Sequence, residues 1–200
     1  MTPAPAMRLS HLLHGAGVQP LTAPACDPVI RQVELDSRAV GPDSLFCALQ
    51  GEHSDGEQFI PQAVQGGATA VLAASPRPAD LDTGVAWLQV DEPRKQVAPL
   101  SRELFGRPDE AMKLAGITGT NGKTTTAYMV DAIVQAAGLS SGRIGTIDYT
   151  WNDVRRPAPH TTPEGPHLFA LLAEMRDSGV DWVAMEVSSH ALSMGRVRSA

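Results

Sequence analysis

Residues 113–138 read KLAGITGTNGKTTTAYMVDAIVQAAG. KLAGIT (Lys113–Thr118) is a short apolar run, the pattern of a strand in a parallel sheet covered on both faces. From Lys123 to Ala137, the residues Ala127, Val130, Val134 and Ala137 fall at helical spacing, and Gly138 supplies a stop. Between strand and helix stand Gly119, Thr120, Asn121, Gly122, Lys123, Thr124 and Thr125. A polyphosphate site at a helix N-terminus needs bare amides and glycines that let the backbone come close. It also needs a lysine for the β/γ-phosphates and a hydroxyl for Mg²⁺. Gly119, Gly122, Lys123 and Thr124 supply these in order. The general pattern G-x-x-x-x-G-K-[ST] asks for glycine at position 117, where this chain has Ile117, so the loop is a shorter variant. The expected cofactors are ATP and Mg²⁺, with Lys123 as the catalytic cation.

Working towards the C-terminus, RIGTI (Arg143–Ile147) reads as another strand. TTPEG (Thr161–Gly165) then opens a helix whose buried stripe is Leu168, Leu171, Leu172 and Met175, ended by Gly179. Either Thr161 pairs with Glu164 in a capping box, or Thr162 caps with Pro163 at the first helical position. WVAMEVSS (Trp182–Ser189) is a further strand, apolar except for Glu186. A charge buried there requires a partner, and an arginine or a Mg²⁺ ion would serve. Strand, helix, strand, helix, strand is an open parallel α/β sheet, in which ligands sit at the carboxyl ends of strands.

Working towards the N-terminus, strands are expected at Ile30–Asp36, Ser44–Gly51, Thr69–Ala74 and Val85–Val90. A short helix is expected over Glu57–Ala68. Asp91–Phe105 is helical on either side of Pro99, which should kink or interrupt it. The polar break GRPDE (Gly106–Glu110) places a boundary between residues 1–106 and 107–200. Residues 1–6 read as a loose tail rather than a secretory signal. No apolar run reaches the eighteen or so residues that a membrane span needs. Net charge is −6 with no basic block, which argues against nucleic acid as the partner. Two cysteines without metal-type spacing, Cys26 and Cys47, fit a reducing cytoplasm, with Cys47 in the core.

GTNGKTT resembles the ATP-binding signature of the Mur ligase superfamily. Within it, LDSRAVGPDSLFCALQGEHSDGEQFIPQAVQGGATAVLA (Leu35–Ala73), GITGTNGKTTTA (Gly116–Ala127), HTTPEG (His160–Gly165) and MEVSSHAL (Met185–Leu192) resemble the tripeptide synthetases. The pairing of TTPE with MEVSSHAL discriminates most. The resemblance implies a small N-terminal α/β substrate-binding domain followed by a P-loop-type parallel α/β ATPase domain, truncated at residue 200. It implies that Lys123 holds ATP phosphates and that Thr124 and Glu186 bind Mg²⁺. It places Ser37, Glu52, His53 and Ser54 on the uridine nucleotide, and Thr161, Thr162, Ser188 and Arg196 on the muramoyl peptide. His160 stands where the family often has Asn, and Met194 where a Gln is common; a thioether cannot replace an amide's bonds.

The implied activity is ATP-dependent addition of a third amino acid, meso-diaminopimelate or L-lysine, to UDP-N-acetylmuramoyl-L-alanyl-D-glutamate through an acyl phosphate. The implied partners are these small molecules alone, in a monomer. Two rivals stay open: another ligase of the superfamily, of the folylpolyglutamate or cyanophycin synthetase type, and a binding fragment without turnover. The DSR-containing segment and TTPEG favour the tripeptide synthetases over the first rival.

Overall fold

A computed structural model describes residues 5–51 and 54–199. The chain divides into two compact units between Leu104 and Phe105.

In the first unit, β1 (Met7–Arg8) pairs antiparallel with β2 (Val29–Ile30), and α1 (Leu9–Ala16) follows β1 directly. Strands β3 (Gln32–Glu34), β4 (Ser44–Cys47), β5 (Ala68–Ala73) and β6 (Ala86–Gln89) form a parallel sheet in that order. The expected strand over Ile30–Asp36 is thus two short pieces that join different sheets. α2 (Ile60–Gln65) is entered through a 3₁₀ turn at Gly56–Phe59, where the Asp55 carboxylate accepts from the Glu57 amide. One core under α2 gathers Phe46, Ile60, Ala63, Val71, Val85 and Trp87. On the other face α3 (Pro93–Leu104) packs on α1 and on β3 and β4. Pro99 does not interrupt this helix, one of the two outcomes expected of it: α3 runs through it, burying Val97, Ala98, Leu100, Ser101 and Leu104. Tertiary burial of that face outweighs the one backbone bond that proline removes.

In the second unit the sheet order is β10-β9-β8-β11-β7. Its strands are β7 (Lys113–Ile117), β8 (Ser141–Ile144), β9 (Asp148–Trp151), β10 (Val154–Pro157) and β11 (Trp182–Glu186). β7, β11 and β8 are parallel; β9 and β10 form an antiparallel hairpin that the parallel reading missed. Asn152, at φ 47°, turns this hairpin, a conformation asparagine tolerates better than most residues. β7 is not covered on both faces as expected: it lies at the sheet's edge, and its residues are partly or fully exposed.

α4 (Lys123–Ala136) packs on β8, β11 and β7. Ala127 and Val134 are buried as expected, but Ala137 is exposed, and the third buried position is Asp131, held by ionic partners. α5 (Gly165–Asp177) buries its whole expected stripe of Leu168, Leu171, Leu172 and Met175. α6 (Ser189–Ser193) is the last helix of the described residues.

Candidate functional site

Gly119 and Gly122 adopt φ of 147° and 81°, left-handed conformations in which a side chain would be strained. They turn the chain from β7 into the first turn of α4, with Gly122 as its N-cap. The loop between them is exposed, so the free amides at the start of α4 face solvent, as an anion site requires. The Lys123 ammonium folds back over the loop and donates to Gly119 O at 2.7 Å. A phosphate in the loop would compete for that same charge.

Thr124, one residue on, faces the end of β11. Its Oγ1 donates to Glu186 Oε2 at 2.9 Å. Glu186 is 1% exposed. Two further donors reach it from the residue beyond Gly145: Thr146 N to Oε1 at 3.0 Å and Thr146 Oγ1 to Oε2 at 3.2 Å. The carboxylate is thus buried and hydrogen-bonded, with no arginine paired to it among the described residues, and the alternative raised for it from the sequence is not seen there. Gly145 is part of this arrangement: a Cβ there would run into Glu186 Oε1.

The two threonines of TTPEG do not cap α5. That helix begins at Gly165 with Glu164 as N-cap and no side-chain cap bond. Thr162 Oγ1 instead donates to Glu186 O at 2.9 Å and accepts from Ser188 N at 3.1 Å. Thr161 Oγ1 lies 3.1 Å from Thr146 Oγ1. The capping expectation fails because the helix starts only after extended Glu164, the end of β11 takes the Thr162 hydroxyl, and Thr146 takes that of Thr161. Ser188 caps α6 by accepting from Ala191 N at 3.1 Å. Arg196 donates to Thr162 O at 3.1 Å and forms an ion pair of 2.8 Å with Glu164. Thr161, Thr162, Ser188 and Arg196 therefore form one cluster with Glu186 and Thr124.

A Mur ligase middle domain matches residues 117–200. A second match, to the Mur ligase family catalytic domain, covers residues 29–103. The chain belongs to the Mur ligase family. A Solibacter usitatus relative named UDP-N-acetylmuramoyl-L-alanyl-D-glutamate–2,6-diaminopimelate ligase is 42% identical over 192 residues, covering 96% of this chain and 38% of the relative. A Streptomyces avermitilis protein of the same name is 44% identical over 184 residues, covering 91% and 36%. A solved structure of a ligase of that name superposes with a TM-score of 0.69 at 22% identity, covering 86% of this chain and 34% of that one, and shows the shared fold. The chain therefore spans well under half the length of these relatives.

In this Mur ligase chain the remaining expected site residues lie in the first unit. Ser37 follows β3, is 9% exposed, and donates to Gln62 Oε1 at 2.8 Å. Ser54 is exposed after β4, and its carbonyl accepts from Gly51 N at 2.9 Å. Both lie beyond the carboxyl ends of adjacent parallel strands. Glu52 and His53 lie outside the described residues. At the end of β3, burial pushes the Glu34 carboxyl up to about 7, and the Asp36 charge adds to the effect. Gly145 and Thr146 escaped the sequence reading. The signal was present as Gly-Thr directly after a strand, but reading RIGTI as strand throughout hid it.

Proposed function

We propose that this chain is part of an ATP-dependent ligase that extends UDP-N-acetylmuramoyl-L-alanyl-D-glutamate by one amino acid. In the relatives' names that amino acid is 2,6-diaminopimelate. The observation that carries the reading is the junction of a glycine-turned helix N-terminus with a buried carboxylate, Thr124 against Glu186. Magnesium prefers hard oxygens and is commonly held by one or two carboxylates together with substrate phosphates. Thr124 Oγ1 and Glu186 fit that donor set, and Thr146 fixes the carboxylate's orientation from the other side. The ion, when bound, offsets charge on the phosphates.

The chain's own residues then divide the work. The amides after Gly119 and Gly122 cradle the phosphates, and Lys123 stabilises charge on the γ-phosphoryl group as it moves. The γ-phosphoryl group passes from ATP to the D-glutamate carboxylate, giving ADP and an acyl phosphate. An amine of the incoming amino acid attacks the acyl carbon, phosphate leaves, and the amine loses a proton as the amide forms. Thr161, Thr162, Ser188 and Arg196 suit the acceptor side, where the planar fork of Arg196 matches a carboxylate or diphosphate. Ser37 and Ser54, with Glu52 and His53, suit the uridine nucleotide in the first unit.

Lys123→Ala in the complete enzyme tests this reading. Ligation, followed as ADP release with the UDP-muramoyl dipeptide and diaminopimelate, should fall by about 10²–10³-fold or more. Near-normal turnover would overturn the assignment. The coverage of the relatives favours a second reading for the isolated chain: binding without turnover. Calorimetry with MgATP and with the UDP-muramoyl dipeptide, beside a ligation assay, decides between the two.

A further inference from the structure

Behind the phosphate loop lies a buried ionic cluster that the proposed chemistry does not use. Alternate residues of a strand share a face. On β8, Ser141 and Arg143 turn to α4, while Gly142 faces Met175 of α5 and Gly145, just beyond the strand, faces Glu186. α4 answers with Thr124, Tyr128, Asp131 and Gln135, whose spacing of four, three and four puts them on one helical stripe. The two rows meet rung by rung. Gln135 Nε2 donates to Asp131 Oδ1 at 2.9 Å and to Ser141 Oγ at 3.1 Å, and Ser141 also donates to Asp131. Arg143 donates from Nη1 to Asp131 Oδ2 at 2.6 Å and from Nη2 to Asp148 Oδ1 at 2.8 Å. Its guanidinium lies 3.6 Å over the Tyr128 ring. The last rung is Thr124 on Glu186, beside Gly145 and Thr146.

Arg143, Asp131 and Asp148 are 7%, 8% and 3% exposed. Ion pairs so deeply buried are no more stabilising than well-packed apolar side chains, and their best-attested use is to fix register. An apolar seam tolerates sliding; a guanidinium forked between two carboxylates accepts one alignment. Slip of α4 by a single residue is about 1.5 Å along its axis, enough to take the Thr124 hydroxyl out of bonding range of Glu186. We propose that Arg143 is a positioning residue that locks α4 against β8 and so sets Thr124 opposite Glu186. Its consequence for nucleotide rests on the reading of that pair as a MgATP site.

The test compares the wild-type chain with Arg143→Lys, with Arg155→Ala, and with the triple variant Arg143→Met/Asp131→Asn/Asp148→Asn. The triple leaves no uncompensated buried charge, so it should fold, which circular dichroism checks. Arg155 pairs with Asp148 from solvent and serves as the control. Amide hydrogen exchange over residues 126–131, whose N–H groups are bonded within α4, should speed up by roughly 10-fold in the unliganded triple variant and less in Arg143→Lys, and stay at wild-type rates in Arg155→Ala. MgATP affinity should fall by about 10-fold in the triple variant, whereas ATP affinity in EDTA, which depends on the loop amides, should hold within about two-fold. Wild-type exchange over residues 126–131 in the folded triple variant overturns the proposal, as does an equal loss of affinity with and without Mg²⁺. If the wild-type chain binds no MgATP, the nucleotide reading falls on that arm and the exchange arm still decides the positioning role. If the triple variant does not fold, Arg143→Lys decides by the same exchange measurement.

Discussion

At Gly145 the backbone makes room for a carboxylate. Glu186 fills the space a Cβ would need, and the next amide, Thr146 N, donates to it. Gly145→Ala should push Glu186 off Thr146 and Thr124. Leaving a buried carboxylate short of donors costs about 1–3 kcal/mol, and Mg²⁺-dependent nucleotide binding should be lost with it. A urea melt and a MgATP titration on the same variant check both; unchanged values for both would show that the carboxylate is not held as described. Glu186 was legible in the sequence because it is the one acid in an otherwise apolar strand. Lys123 and Thr124 were legible because chemistry dictates their order. Thr146 was not, since a threonine after a glycine carries no signature until the strand ahead of it is known to end at Ile144. The threonines of TTPEG do not act as caps: sequence spacing permits a capping box, but only the fold shows Thr162 turned to the end of β11 and Thr161 to Thr146.

Elements follow the same logic at larger scale. The long periodic stretches, α4 and α5, were readable because many residues vote for the same face. The hairpin of β9 and β10 was not, because its strands are four residues each and Asn152–Asp153 is a weak turn signal beside Gly-containing ones. The edge position of β7 was equally hidden: an apolar strand reads the same whether it has one neighbour or two. Pro99 does not interrupt α3 because local propensity is a weak prior against the burial of a whole helical face. That continuity carries an expectation. α3 runs through Pro99 without an amide to give Lys95 O, so Pro99→Ala should restore the missing bond. The gain should be about 2 kcal/mol, the helix preference for alanine being partly offset by the freer unfolded chain. A urea midpoint that rises in Pro99→Ala without a change in slope supports this account; a midpoint that stays or falls shows that α3 has already adapted to the ring.

The whole molecule holds two cores, and its three tryptophans report on them separately. Trp87 belongs to the first unit, 4% exposed, with its indole N–H on Ser75 O at 3.1 Å. Trp151 and Trp182 belong to the second. The first unit also holds Glu34, whose carboxyl is raised from 4.5 to about 7 by burial and then by Asp36. A raised carboxyl binds its proton more tightly in the folded unit than in the unfolded chain. Stability is therefore fullest below pH 4.5 and declines as pH rises through the window from about 4.5 to 7. Discounted for the solvent that reaches this half-buried side chain, the loss is on the order of 1 kcal/mol. Denaturant melts at pH 5 and pH 8 should show Trp87 fluorescence changing at lower urea at the higher pH. Glu34→Gln, which cannot ionise, should remove most of that difference and stabilise the first unit at pH 8. The transition seen by Trp151 and Trp182, isolated in a Trp87→Phe background, should keep its midpoint when Glu34 is replaced. A Trp87 midpoint indifferent to Glu34→Gln at pH 8 would mean that the carboxyl is better solvated or better paired than its place on β3 implies.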